Sequence, residues 1–316
     1  MNKLLLTRFL FGLVGLGLIV PGGLIYRHYQ ADLAQARQRV ASGAKTIETA
    51  CGPIQYAEFG AGAPMLMVHG AGGGYDQGVY FAKIIGENYR WIVPSRFGYL
   101  GTKAPDNASS EMQADAHACL LDALGIDRVG VVGISGGGSS ALLCAQRHPR
   151  RTNSLAMIDA VSHAIPPRST LLSTVFSLFT NDFVFWSLLH LNREGMLAML
   201  GVPEEDQKAL PPENLSQAYA FLDTILPMGA RVDGQNLEQR MSEYDAGQIQ
   251  QITSPTLVLH ARNDTLVAYD PGEFTAKMVP GAQLITMEKG GHLALMFDIN
   301  ADTLENLRAF IDQHIP

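Results

Sequence analysis

The chain has 316 residues, 47% of them hydrophobic and 17% charged, enough to bury one large core within a single α/β domain. Its formal net charge is −7 and its basic residues are scattered rather than gathered into a stripe, which excludes nucleic acid as a partner. Cys51, Cys119 and Cys144 form no C-x-x-C pair and no zinc spacing, so neither a disulfide framework nor a metal cage is expected; Cys119 and Cys144 read as small buried hydrophobes.

Between Arg8 and Arg27 lie eighteen uncharged positions, Phe9 to Tyr26, rich in Leu, Val, Ile and Gly. About 20 apolar residues cross a bilayer as a helix, so residues 1–26 are expected to be a single-pass membrane anchor. No A-x-A-like cleavage site follows, which argues for an uncleaved anchor rather than a signal peptide. Such signal anchors place the catalytic domain on the extracytoplasmic side, although basic residues on both flanks leave the orientation unmarked. Residues 27–45, rich in Ala, Gln and Arg, read as a helical stalk ended by Gly43.

From Thr46 onward short β-branched or apolar runs alternate with turns and helical stretches, the pattern of a mostly parallel sheet with covering helices. Strands are expected at Thr46–Thr49, Ile54–Phe59, Met65–Val68, Trp91–Pro94, Arg128–Ile134, Leu155–Ile158, Thr256–His260 and Gln283–Met287. Helices are expected near Tyr80, over Ser110–Leu124, over Ser139–His148 and over Asp302–His314.

The third strand ends in His69-Gly70-Ala71-Gly72-Gly73-Gly74. That turn lacks G-x-G-x-x-G spacing, and no acidic residue closes the next strand, so it is no dinucleotide fingerprint. It suits a backbone donor for an oxyanion, from Ala71 or Gly72, with His69 structural. The fifth strand runs into Gly133-Ile134-Ser135-Gly136-Gly137, a G-x-S-x-G sequence followed by a helix. A serine on such a strained turn exposes its Oγ, and the N–H of Gly136 at the helix start can face a developing oxyanion. No Gly-Lys-Ser/Thr follows, which sets aside a phosphate-cradling loop.

Between about residues 162 and 252 no strand is convincing, and Leu171–Leu191 has the apolar density of helices packed on an apolar surface, so this stretch reads as a helical lid. Beyond the seventh strand Asp264 stands where a carboxylate can accept a histidine N–H, and beyond the eighth His292 sits on the glycine-softened loop Gly290-Gly291. Ser135, Asp264 and His292 thus read as nucleophile, acid and base in the order Ser, Asp, His. Asp159, past the sixth strand, is the reserve acid, and His163, near the root of the lid, is the one other histidine kept as a candidate.

These motifs resemble the α/β-hydrolase superfamily of lid-bearing serine esterases over the chain from about Thr46 to the carboxyl end. The resemblance implies an acyl-enzyme mechanism in a pocket between sheet and lid, without metal or organic cofactor. One departure is Pro94-Ser95-Arg96-Phe97-Gly98-Tyr99, where many relatives carry an Asp before Arg-Gly. The apolar lid residues Leu171, Leu172, Phe176, Phe179, Phe183, Phe185 and Trp186, with the membrane segment, point to a hydrophobic carboxylic ester as substrate. Thioester or carbon–carbon bond hydrolysis and acyl transfer share the same triad. A ligand-binding receptor that keeps the fold is the non-enzymatic alternative.

Overall fold

The structure is a computed structural model that describes residues 3–164 and 177–314, the side chains before residue 22 and of Asp298 excepted. Along the chain come α1 (Lys3–Ser42), β1 (Lys45–Thr49), β2 (Gly52–Phe59), β3 (Pro64–Val68), α2 (Tyr75–Ile85), β4 (Arg90–Pro94), α3 (Ser110–Ala123) and β5 (Val129–Ile134). Then follow α4 (Gly138–Arg147), β6 (Thr152–Ile158), α5 (Asp182–Leu191), α6 (Arg193–Met199), α7 (Glu204–Ala209), α8 (Pro212–Thr224) and α9 (Val232–Met241). The chain closes with β7 (Thr256–Ala261), α10 (Asp270–Met278), β8 (Gln283–Met287) and α11 (Ala301–His314).

All eight expected strands are present and form one sheet in the order β1-β2-β4-β3-β5-β6-β7-β8. β1, β2 and β4 pair antiparallel, and every later pairing is parallel. The period-2 rule for strands explains the two cores. Met65, Met67, Trp91, Val93, Val132, Ile134, Leu257 and Leu259 face one way and pack with Phe81 and Ile85 of α2 and Leu307 and Phe310 of α11. Their neighbours Leu66, Val68, Ile92, Val131 and Val258 face the other way, onto Leu120 and Leu121 of α3 and Leu142 and Leu143 of α4. Inner strands such as β5, VGVVGI, are buried on both faces and therefore read as continuous apolar runs. Edge strand β8 is only partly buried until Met287.

The chain between β6 and β7 is helical where described, as expected, and carries α5 to α9. Phe185, Trp186 and Leu189 of α5 are buried in the same core that lies over α2 and α11, whereas Phe183 is 42% exposed. Leu171, Leu172 and Phe176 of the expected lid face lie outside the described residues.

Two expectations need correction. The first is the anchor: α1 runs unbroken from Lys3 to Ser42, and among the described residues no helix is long and apolar enough to cross a membrane. Phe9–Pro21 of the expected span fall where side chains are not described. The run counted as a span is only eighteen residues long, with Pro21 and the glycines 12, 15, 17, 22 and 23 diluting its apolar character. The single-pass anchor, the membrane as a partner and the extracytoplasmic placement that rested on them are therefore not supported. The distal part of α1 packs on the protein instead: Tyr29, Leu33 and Ala36 are buried, and Tyr29 meets Phe183 and Trp186 edge to face.

The second correction concerns cysteine. Cys51, in the β1–β2 turn, and Cys119, in α3, form a disulfide with Cα atoms 6.0 Å apart. A pairing across 68 residues leaves no local signature, because it depends on α3 packing beside the β1–β2 hairpin. Cys144 is buried as expected, and burial pushes its thiol up to about 12.

Candidate active site

The expected site residues stand at the carboxyl ends of β3, β5, β7 and β8, where neighbouring loops of a parallel sheet open a crevice. Ser135 follows β5 with φ +51, a left-handed conformation unusual for a side chain and held between the strand and a short 3-10 turn that feeds α4. Its carbonyl accepts from the N–H of Val161 at 2.9 Å, which ties the turn to the chain after β6. Neighbouring backbone closes in on both sides. A Cβ at Gly137 would lie 2.5 Å from the carbonyl oxygens of Val68 and His69, and one at Gly70 would lie 2.8 Å from Ser135 Cβ, so only glycine lets the β3 loop pass the serine.

Asp264 and His292 meet as the sequence predicts. His292 Nδ1 donates to Asp264 Oδ2 at 2.6 Å, which leaves Nε2 as the free lone pair. The other oxygen, Oδ1, accepts from the N–H groups of Leu266 and Val267 at 2.8 and 2.9 Å, so the carboxylate is fixed in orientation. Burial works against charge on His292, but the Asp264 charge, its hydrogen bond and the Asp159 charge together outweigh burial and raise the imidazole above its ordinary value.

Asp159 lies near this pair but does not bond His292. Its Oδ1 accepts from the N–H of Ala261 at 2.7 Å, while Oδ2 is buried without a partner. Burial, reinforced by the Asp264 charge and opposed by His292, pushes its carboxyl well above the usual range. Asp159, His260 and Asp264 bring ligand atoms within 4.8 Å of one another. Both oxygens of Asp264 are already taken by N–H donors and His260 Nε2 faces the carbonyl of Val267, so this cluster makes a poor cation site.

The remaining histidines have other partners. His69 Nε2 accepts from the N–H of Arg96 at 2.9 Å and Nδ1 faces the Gly70 carbonyl, with burial and the Arg96 charge keeping the ring neutral. That is the structural role expected of it. His163 sits 3.7 Å from Asp270 and packs on Phe274. Burial takes His117 down to about 3.

Several residues that organise the site were not identified from sequence, and most belong to the insertion. Asp206, buried in α7, accepts at one oxygen from Asn263 Nδ2 and from the N–H of Gly290, both at 2.6 Å, and so links the acid loop to the histidine loop. Gly201 sits over the Asp–His pair, and its carbonyl accepts from the N–H of His292 at 3.1 Å. Glu238 of α9 binds Arg96 and the hydroxyl of Tyr99, all three buried. Arg231, fully buried, grips Asp76 at 3.0 and 2.7 Å and donates to the Gly73 carbonyl at 2.6 Å.

The unusual segment 94–99 is therefore part of this framework. Ser95, in place of the acid, takes the N–H of Tyr75 at 3.2 Å and donates to Gln55 at 3.0 Å. Tyr99 Oη also accepts from the N–H of Gly72 at 3.3 Å. The Ala71 nitrogen instead lies 3.2 Å from where a Cβ on Gly136 would stand, next to the serine.

Ser135 and His292 line one narrow cavity of about 70 Å³, with His69, Gly70, Ala71 and Gln77 on one side and Phe81, Ile134, Leu200, Phe221, Ile225, Leu266 and Leu293 around the rest. Among the described residues no lysine or arginine lines it.

A family model described as the alpha/beta hydrolase fold matches residues 63–299. Among curated relatives, Lipase 1 of Psychrobacter immobilis is 28% identical over 90% of this chain and 86% of its own length. The 2-hydroxymuconate semialdehyde hydrolase of Pseudomonas putida is 28% identical over 74% of this chain and 82% of its own. Among solved structures, an alpha/beta hydrolase fold protein from Nakamurella multipartita superposes with a TM-score of 0.71 at 27% identity, covering 85% of this chain and 98% of that one. Sheet order, strand-end loops and this match together place the chain in the α/β-hydrolase fold family, as a hydrolase.

Proposed function

We propose that the chain is a serine hydrolase that cleaves carboxylic esters with a hydrophobic acyl group. The observation that carries this reading is the 2.6 Å bond between His292 and Asp264 in a site whose cavity also holds Ser135 on its left-handed turn. In the reaction His292 Nε2 takes the proton of Ser135 Oγ as the oxygen attacks the ester carbonyl. The same proton then leaves with the alcohol, and water, activated by His292, releases the acyl group and regenerates the serine. Asp264 keeps the imidazole in the Nδ1–H tautomer and stabilises it when protonated. The N–H groups of Gly136 and Ala71 hold the oxyanion. Ala71 is preferred to Gly72 because the Gly72 N–H is spent on Tyr99.

The helical insertion acts as a lid in this reading. A volume of about 70 Å³ is well below the roughly 300–1,000 Å³ of a typical small-molecule site, so a substrate requires the insertion to shift. The lipase relative favours an ester. The apolar lining without a described cation also favours a neutral acyl chain over the anionic, diketone-like substrates of carbon–carbon bond hydrolysis.

The test is turnover of p-nitrophenyl esters of graded chain length by the full chain, beside Ser135→Ala, with fluorophosphonate labelling. Labelling and turnover should both vanish in the variant, a loss on the order of 10⁶-fold in kcat. A folded wild-type chain that neither labels nor turns over any ester would overturn the reading.

A further inference from the structure

Away from the catalytic cavity, α1 and α5 bring two histidines and a carboxylate to one point. His28 and Asp32 are one turn apart on α1, so their side chains share a face. His190 comes from the last turn of α5. The His28 and His190 Nε2 atoms lie 3.5 and 3.6 Å from Asp32 Oδ2, and all three ligand atoms fall within 4.8 Å of one another.

Those separations suit a metal. Bonds of about 2.0–2.1 Å in a tetrahedral shell place neighbouring ligand atoms about 3.3–3.4 Å apart, and two of the three edges here are already within a few tenths of an ångström of that. The groups around the ligands also fit. His190 Nδ1 donates to the Trp186 carbonyl at 2.9 Å, which fixes the tautomer that leaves Nε2 as a lone pair. The Trp186 indole N–H donates to Asp32 Oδ2 at 2.7 Å and orients the carboxylate. The Trp186 ring packs against both imidazoles, 5.7 Å from His28 and 4.3 Å from His190.

We propose that His28, Asp32 and His190 form a zinc site that clips the amino-terminal helix to the insertion. Two imidazoles and one carboxylate favour zinc over magnesium or calcium, which take oxygen ligands. Asp32 and His190 also line a groove of about 410 Å³ shared with Arg39, Arg193 and Asp223, so in this proposal solvent water supplies the fourth ligand. The two arginines do not oppose the cation with free charge, since Arg193 pairs with Asp223 at 2.7 Å and Arg39 pairs with Asp76 at 3.6 Å. The site is independent of the ester reading and uses none of its residues.

Calorimetric titration of the chelator-treated full chain with zinc chloride tests it, beside His28→Ala, Asp32→Asn and His190→Ala. One equivalent should bind to the wild type, and each variant should bind at least about tenfold more weakly. Cobalt(II) should give the intense visible bands of a tetrahedral site in the wild type and lose them in His190→Ala. The His28 side chain is 62% exposed, so His28→Ala keeps its fold and serves for a second readout, the melting temperature. Zinc should raise it in the wild type and not in His28→Ala. Undiminished stoichiometric binding in His28→Ala and His190→Ala, an equal melting shift in both proteins, or no binding by the wild type would each overturn the proposal.

Discussion

The strand-end loops of the sheet and the helical insertion serve the same site in different ways. The loops after β3, β5, β7 and β8 carry the groups proposed to react: the oxyanion donors, Ser135, Asp264 and His292. The insertion carries buried charges that hold those loops, with Glu238 on Arg96 and Tyr99, Arg231 on Asp76 and Gly73, and Asp206 between the Asp264 and His292 loops. Chemistry on the sheet therefore depends for its geometry on residues in a segment with no recognisable motif. Substitutions in the two regions should accordingly fail in different ways.

The largest effect belongs to the loops. Asp264→Asn keeps the shape but loses the charge and favours the wrong tautomer, and should lower kcat on an ester by about 10⁴-fold with a small change in stability. The pH profile sharpens this. His292 must be neutral to act as base, and its pKa is raised, so the acidic limb of kcat/KM should lie above the ordinary histidine value and move to lower pH in Asp264→Asn. The sign for stability is opposite. A raised folded-state pKa means that the protonated ring stabilises the fold fully below the unfolded-state value, and this contribution fades as pH rises through the folded-state value. Activity should thus rise over the window in which this part of the stability is lost. A limb that stays in place in Asp264→Asn would shift the acid role toward Asp159.

In the insertion, Glu238→Ala strands the Arg96 guanidinium, which is 2% exposed, and removes the acceptor of Tyr99. Breaking one side of a buried pair costs about 3–5 kcal/mol, so the melting temperature should fall by many degrees. Glu238→Gln should recover part of it. Equal melting of Glu238→Ala and wild type would show that the pair contributes nothing and would undo the contrast between the regions.

That contrast also explains what could be read from sequence. The eight strands were legible because inner parallel strands are continuous apolar runs bounded by turns, and Ser135, Asp264 and His292, the proposed triad, could be singled out because each sits just past a strand end in a fixed order. Glu238, Arg231 and Asp206 were not legible. Their role depends on which carbonyl or arginine lies opposite after folding, and a lone charged residue in a polar helix such as VDGQNLEQRM looks solvated. Arg96 carried a partial signal, since the segment around it departed from the family pattern. The amino-terminal helix misled in the opposite direction. Its apolar run resembled a membrane span, while the later residues Tyr29, Leu33 and Ala36, read as stalk, are the ones that pack on the protein.

Asp206→Ala should have a smaller effect than the Glu238 change. Two hydrogen bonds to a carboxylate are lost, each worth about 1.5–3 kcal/mol, but both donors can reach water when the loops loosen. Because those donors belong to the acid and histidine loops, kcat should fall more than KM rises, and Asp206→Asn, which keeps an acceptor, should restore most of it. A pure stability loss with kcat unchanged would show that the insertion does not position His292.

The smallest effect, Tyr99→Phe, separates two atoms that sequence alone leaves equivalent. The hydroxyl accepts from the Gly72 N–H and donates to Glu238, so its removal costs about 1 kcal/mol of stability. It also frees the Gly72 N–H. If Ala71 is the second oxyanion donor, the variant only loosens the turn, and kcat/KM should fall by less than tenfold. If Gly72 is the donor, the wild-type tyrosine competes with the oxyanion for that N–H, and removing it should raise kcat/KM. The sign of the change, measured on one ester at saturating pH, therefore decides which N–H faces the substrate.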